Sequence, residues 1–183
     1  MQIEIYGCRL ELVQGDVSEQ QVDAIVNAAN SRLAGGSGVD GAIHARGGPT
    51  IIEETRRRYP GGCPTGSAVA SGPGELPCRL LIHAVGPIWH GGGQGEPEQL
   101  RGAYRKSLEL ATEHSCESVA FPALSTGAYG YPKSQAANVT LAAILDFLAE
   151  HAAPAVVRLV LFTQEDYKLF SAVAKERVDK RKG

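Results

Sequence analysis

Two amides and a carboxylate, Asn27, Asn30 and Asp40, share one short segment of this 183-residue chain. The residues around them are mostly small: Asn-Ala-Ala-Asn-Ser-Arg-Leu-Ala-Gly-Gly-Ser-Gly-Val-Asp-Gly, from Asn27 to Gly41. The segment leaves an apolar stretch, Ala24-Ile25-Val26, and runs into four glycines closed around Asp40. An amide side chain offers a donor and an acceptor to a hydroxylated ligand. A positioned carboxylate can take a proton. Glycine lacks a Cβ, so backbone N–H groups approach phosphate oxygens closely and φ > 0 carries little steric cost. The pattern is a ligand-binding loop with one acid–base group beside it.

A second run of small residues, Ser125-Thr126-Gly127-Ala128-Tyr129-Gly130-Tyr131-Pro132, follows an apolar strand and precedes a helix. Free N–H groups beside a helix start suit an anion, and Tyr129 would lie over a sugar ring. The alternative is an ordinary strand-to-helix turn with surface tyrosines. Asp16, in Gly15-Asp16-Val17, has two readings that the residues leave open. It accepts from an exocyclic amine such as that of adenine, or it caps a helix start at Ser18. His83, inside Leu80-Leu81-Ile82-His83-Ala84-Val85, reads as a hydrogen-bonded core residue. His44 follows Asp40 by one helical turn and would face it, with packing as its first reading.

Other chemistries fail on spacing. Gly36-Ser37-Gly38-Val39-Asp40-Gly41 matches G-x-G-x-x-G, but Ala29 to Gly35 separate it from the preceding strand. Arg56 to Pro60 supply no acid for a ribose, and Asp40 would repel a pyrophosphate on the loop, so a nicotinamide-dinucleotide site is rejected. No Gly-Lys pair exists, which excludes a Walker loop. Cys8, Cys63, Cys78 and Cys116 are widely spaced with no C-x-x-C pair, and read as reduced thiols rather than zinc ligands. No metal and no cofactor are expected. Cys63 has no evident base partner, so covalent catalysis is unsupported.

Composition narrows the partners. The formal net charge is −2, Lys and Arg are dispersed, and aromatic residues make up 6%. A nucleic-acid binder would show a basic patch or an aromatic track, so nucleic acid is not an expected partner. The basic stretch from Lys175 to Lys182 is interrupted by Glu176 and Asp179 and reads as a frayed, solvated helix end. Met1-Gln2-Ile3-Glu4 shows no basic start or apolar signal core, and no apolar run reaches bilayer length. A cytoplasmic, soluble protein without a membrane partner is expected.

These residues need a scaffold, and periodicity predicts one. Ile3–Tyr6 and Arg9–Val13 alternate apolar and polar residues around Gly7-Cys8, which predicts a hairpin. Strands are predicted over Ala24–Ala28, Ser67–Ser71, Arg79–Val85, Ser118–Pro122 and Val156–Phe162. Helices are predicted over Pro49–Tyr59, Pro97–His114, Ser134–Glu150 and Glu165–Lys175, the second and third with clear apolar stripes. Strands alternating with helices imply an α/β fold with parallel pairing, made mixed by the opening hairpin. One domain spanning 1–183 is expected. Ligands of such sheets sit at the carboxyl ends of strands, where the loops Asn30–Gly41, Gly86–Gly95 and Ser125–Tyr131 should open together. Trp89, beside the glycine loop, reads as a cleft-edge or packing residue.

Taken together, the segments Gly15-Asp16-Val17, Val22 to Asn30, Gly38 to His44, Gly62-Cys63-Pro64-Thr65-Gly66, Ile82 to Pro87 and Ala120 to Pro132 resemble the macrodomain family, specifically its MacroD-type branch. The resemblance runs in consistent order from the first strand to the last helix. It implies a three-layer α/β/α fold with a mixed central sheet and ADP-ribose in a cleft over it. By carry-over, Asp16 holds the adenine amine with Val17 nearby. Ser125, Thr126, Gly127, Ala128 and Tyr129 wrap the diphosphate, which Gly35, Gly36, Gly38 and Val39 meet from the other side. Tyr129 packs on the distal ribose, and Asn30 and Asp40 occupy the positions of the family's catalytic pair. The implied activity is removal of mono-ADP-ribose from acidic side chains of proteins and deacetylation of O-acetyl-ADP-ribose; separately, a monomer is expected. The implied partners are ADP-ribose, ADP-ribosylated proteins and O-acetyl-ADP-ribose. The competing class is a reader that binds ADP-ribose without chemistry. Two departures stand out: Ser37 replaces a glycine common in the family, and Ala45-Arg46-Gly47-Gly48 replaces Arg-Ala-Ala-Gly.

Overall fold

Alternating apolar residues bring β1 (Gln2–Ile5) and β2 (Cys8–Gln14) into an antiparallel pair, with Ile5 opposite Cys8. Tyr6 and Gly7 both have positive φ, 55° and 77°, as a two-residue hairpin turn requires. The turn is thus Tyr6-Gly7, one residue earlier than predicted, and Cys8 already belongs to β2. The computed structural model describes every residue from Met1 to Gly183.

Five more strands complete the sheet: β3 (Ala24–Ala28), β4 (Ala68–Ser71), β5 (Leu80–Ala84), β6 (Ser118–Phe121) and β7 (Val156–Leu161). Their order is β1-β2-β7-β6-β3-β5-β4. The five central strands pair in parallel, and both edges are antiparallel. The opening hairpin was the only antiparallel pair expected. The β4–β5 pair arises because no helix lies between Ser71 and Leu80, so the chain simply doubles back.

Helices cover both faces. On β3, Ala24 and Val26 point into the larger core with Leu108 of α3 (Glu96–Glu113), Leu141 and Phe147 of α4 (Lys133–His151) and Phe170 of α5 (Gln164–Lys182). Ile25 points to the opposite face and packs with Ile43 of α1 (Gly38–Gly47) and Ile51 of α2 (Thr50–Arg58). This is the three-layer α/β/α arrangement. Three differences from the predicted elements have local causes. The stretch Gly38–Gly47 is a helix, although its glycines lower helix propensity; burial of Ile43 holds it to the sheet. Pro49 precedes the first turn of α2 instead of opening it. The end of α5 is not frayed at Lys175. It runs to Lys182, with Val178 buried, Arg177 donating to Asn138 and Arg181 paired with Asp146.

All four cysteines are free, and burial pushes the thiols of Cys63 and Cys78 up to about 11. No helix is long and apolar enough to cross a membrane.

Candidate active site

A cleft of about 800 Å³ opens over the carboxyl ends of the parallel strands. The turns after β2, β3, β6 and β7 form its walls, and Gly86 after β5 forms part of its floor. Its middle is lined by backbone. From Gly36 to Asp40 no N–H donates to a protein acceptor, since the first bond of this turn is Gly41 N–H to Ser37 O at 3.2 Å. These amides form the N-terminus of α1, where the helix dipole favours negative charge. From Ser125 to Tyr129 the N–H groups are likewise without protein acceptors. Lys133 is the one cation lining the cleft, and Asp166 holds it at 2.8 Å. Oriented amides therefore supply most of the positive potential.

Three contacts fix the second amide run. Tyr104 of α3 is fully buried; its hydroxyl donates to Pro122 O and accepts from Leu124 N–H, each at 3.0 Å. Tyr131 N–H closes the loop on Ser125 O at 3.0 Å. Gly86 lies under the loop, and any side chain there would collide with Ser125 Oγ. Ser125 itself sits at φ 68°, a strained conformation for a residue with a Cβ.

Asp40 stands in the first turn of α1, 5% exposed. Asn27 Nδ2 donates to its Oδ1 at 2.7 Å, and His44 Nε2 stands 3.2 Å from the same oxygen. No hydrogen bond engages Oδ2. That oxygen lies at the Gly36 side of the cleft: a Cβ on Gly36 would be 3.2 Å from Asp40 Oδ2 and 4.0 Å from Asn30 Nδ2. Asn30 is also structural. Its Oδ1 accepts from Arg32 and Ala34 N–H, each at 3.2 Å, and its Nδ2 donates to Gly35 O at 2.9 Å. One amide hydrogen of Asn30 remains for a ligand.

At the other end, Asp16 makes the cap and keeps one oxygen free. Oδ1 accepts from Ser18 N–H at 2.8 Å and from Ser18 Oγ at 2.7 Å, as a cap does. Oδ2 has no protein donor, and the residue lines the cleft. Arg46 Nε donates to Ser18 Oγ at 3.1 Å and Arg46 Nη2 to Glu19 at 2.9 Å. The displaced arginine of the Ala45-Arg46-Gly47-Gly48 segment thus ties α1 to the Asp16 turn.

The structure brings Asp16, Val17, Asn30, Gly36, Ser37, Gly38, Val39, Asp40 and Ser125 to Tyr129 into one cleft. Gly35 does not line it; its carbonyl serves the Asn30 turn. The loop from Gly91 to Gly95 does not line it either. Sequence reading missed Phe162, Thr163, Lys133 and Asp166 on the cleft wall. Phe162 is 77% exposed, beside Gly15, whose N–H donates to Leu161 O at 2.9 Å. A large aromatic at the carboxyl end of a central strand was the available signal. His83 is a buried, hydrogen-bonded core residue as read, and no group of three metal-ligating side chains is present.

The Macro domain family model matches residues 26–140. The chain is 51% identical over 174 residues to a macro domain-containing protein of Caldanaerobacter subterraneus subsp. tengcongensis, covering 94% of this chain and 98% of that one. It is 44% identical over 173 residues to the O-acetyl-ADP-ribose deacetylase of Escherichia coli (strain K12), covering 93% and 98%. The solved macrodomain of Oceanobacillus iheyensis with ADP superposes with a TM-score of 0.93 at 39% identity, covering 98% of this chain and 97% of that one. The chain belongs to the macrodomain family.

Proposed function

We propose that this protein binds ADP-ribose and hydrolyses carboxylic esters on its distal ribose. The cleft offers an acceptor and an aromatic face for a base at Asp16 and Phe162. It offers two facing runs of free amides for a diphosphate, and a carboxylate with one open oxygen at the far end. The observation that carries the reading is Asp40: Oδ1 is fixed by Asn27 and Oδ2 faces the cleft next to Asn30. Oδ2 takes a proton from a water held between the ribose and the amides, and hydroxide adds to the ester carbonyl. The tetrahedral adduct then expels the ribose oxygen, which recovers the proton. The Asn30 amide holds the ribose hydroxyls. Acetate on ribose and a glutamyl or aspartyl side chain on ribose are the same bond, so one site serves O-acetyl-ADP-ribose and mono-ADP-ribosylated acidic residues. The kinship with a protein named O-acetyl-ADP-ribose deacetylase supports this chemistry.

The test compares release of ADP-ribose from a glutamate-modified protein, and of acetate from O-acetyl-ADP-ribose, by wild type and Asp40→Ala. Calorimetric ADP-ribose affinity is measured alongside. General base catalysis contributes about 10²–10⁴-fold, so the variant should lose most turnover and keep its affinity. Binding without any release by wild type makes the protein a reader, with Asp40 a structural carboxylate.

A further inference from the structure

We propose that Asn27 and His83 are positioning residues for Asp40. His83, anchored on Ser71, aims the Asn27 amide so that one N–H fixes Asp40 Oδ1 and leaves Oδ2 to the substrate side. The inference rests on Asp40 as the proton acceptor.

Asn27 and His83 are register partners on the parallel strands β3 and β5. Both point to the α1–α2 face, where their neighbours Ile25, Leu81 and Ala120 are apolar. Asn27 is 0% exposed, His83 1% and Ser71 2%. Hydrogen-bond logic fixes every donor. A carboxylate only accepts, so the Asn27 amide group 2.7 Å from Asp40 Oδ1 must be its NH₂ end. The second hydrogen of that group faces His83 Nδ1 at 3.3 Å, which must then be unprotonated. His83 therefore carries its proton on Nε2, 2.9 Å from Ser71 Oγ, and Ser71 passes its own hydrogen to Gly72 O at 2.9 Å. The opposite tautomer would set two N–H groups against each other.

Two further observations fit. Burial, with His44 nearby, pushes His83 down to about 4, so the ring stays neutral. Asn27 Oδ1 is buried with no donor. A buried acceptor left unpaired destabilises a fold. Stability alone therefore does not account for an amide here, and its orientation toward Asp40 does.

The test uses steady-state deacetylation of O-acetyl-ADP-ribose, ADP-ribose affinity and thermal unfolding for wild type, Asp40→Ala, His83→Leu and His83→Asn. Asparagine Oδ1 stands as far from Cβ in bonds as histidine Nδ1, so it can accept from Asn27; leucine cannot. His83→Leu should lower kcat by about tenfold or more while KM and ADP-ribose affinity stay within about threefold. His83→Asn should restore kcat to within about threefold of wild type. Long-range ¹H–¹⁵N spectra of the wild type should show His83 as the neutral Nε2–H tautomer. Wild-type kcat in a folded His83→Leu sinks the relay, as does a His83→Asn no better than His83→Leu, or an Nδ1–H tautomer. If His83→Leu does not fold, the asparagine variant and the wild-type spectrum still decide. Undiminished turnover in Asp40→Ala removes the catalytic reading itself. Its loss there beside full activity in His83→Leu removes only the relay.

Discussion

At the scale of single residues, the reacting end of the cleft is set by what is missing at Gly36. Its φ is not positive, so alanine fits the backbone. The methyl, however, would stand 3.2 Å from Asp40 Oδ2, in the space that the proposed mechanism gives to a water or ribose hydroxyl. Gly36→Ala should keep its melting temperature and lose about tenfold or more in kcat/KM. A variant with wild-type kcat/KM would place the reaction elsewhere. Asp16 allows a cleaner separation of binding from stability. Alanine removes the Ser18 cap as well as the free Oδ2, so it should weaken ADP-ribose binding by about 1–3 kcal/mol and also lower stability. Asparagine can cap equally well but presents NH₂ where an adenine amine needs an acceptor. Asp16→Asn should therefore match the alanine variant in calorimetry and wild type in thermal unfolding. Ser37, at φ −104°, has no need of glycine and makes no cap bond with its side chain. Ser37→Gly should change affinity by less than about threefold, the scale of a cap-site glycine.

At the scale of elements, the amide loop after β6 depends on a helix, α3, that lines no part of the cleft. Tyr104 on α3 satisfies Pro122 O and Leu124 N–H in a fully buried place, and burial pushes its hydroxyl up to about 12. Tyr104→Phe leaves both groups unpaired, so it should cost about 1–3 kcal/mol or more in denaturant unfolding. Glu96 opens the same helix and organises the glycine loop. Its carboxylate accepts from His90, Gly92 and Gln94 N–H at 2.9, 2.7 and 2.6 Å. Burial opposes its ionisation, but these backbone donors outweigh it and hold the carboxyl down at about 2. The loop then meets the site through Trp89, whose N–H donates to Tyr129 O at 2.9 Å and whose ring lies 4.6 Å from that of Tyr131. Glu96→Gln removes the charge and turns one of the two accepting oxygens into an NH₂ donor that faces backbone N–H. It should speed amide exchange across Ser125–Tyr131 and weaken ADP-ribose binding; unchanged exchange there would uncouple the two loops. The restraint on the glycine loop is a side chain beyond it bonding to backbone, which leaves no local pattern in the sequence.

At the scale of the whole molecule, pH dependence follows from buried groups. His83 is pushed down to about 4, whereas an unfolded histidine titrates near 6.5. Between those values the unfolded chain binds the extra proton, so stability falls as pH drops from about 6.5 toward 4, by roughly 3 kcal/mol in all. Below that window the lowered carboxyls of Glu96, Glu11 and Glu54 continue the loss as they protonate. In His83→Asn the first part of the slope should vanish in denaturant unfolding, and the carboxyl part should remain. The hairpin, the stripes of α3 and α4 and the apolar β7 were legible in the chain, because periods of 2 and 3.6 are written in near neighbours. The glycine-rich runs with Asn30 and Asp40 read as a candidate ligand site for the same reason, since small residues and short polar groups declare themselves locally, whereas the residues around Asp16 left it open between a cap and a ligand contact. Helix α1 was not predicted, since its glycines argue against a helix and what holds it is tertiary: the packing of Ile43 and the bonds of Asp40 to Asn27 and of Arg46 to Ser18 and Glu19. Phe162 joined the cleft only when β7 was set beside β2. The choice of which Asp40 oxygen is open belonged to tertiary structure too. It depends on Asn27, 13 positions from Asp40 in the chain, and through it on His83, 56 positions from Asn27, side chains that meet only when β3 and β5 pair beneath α1.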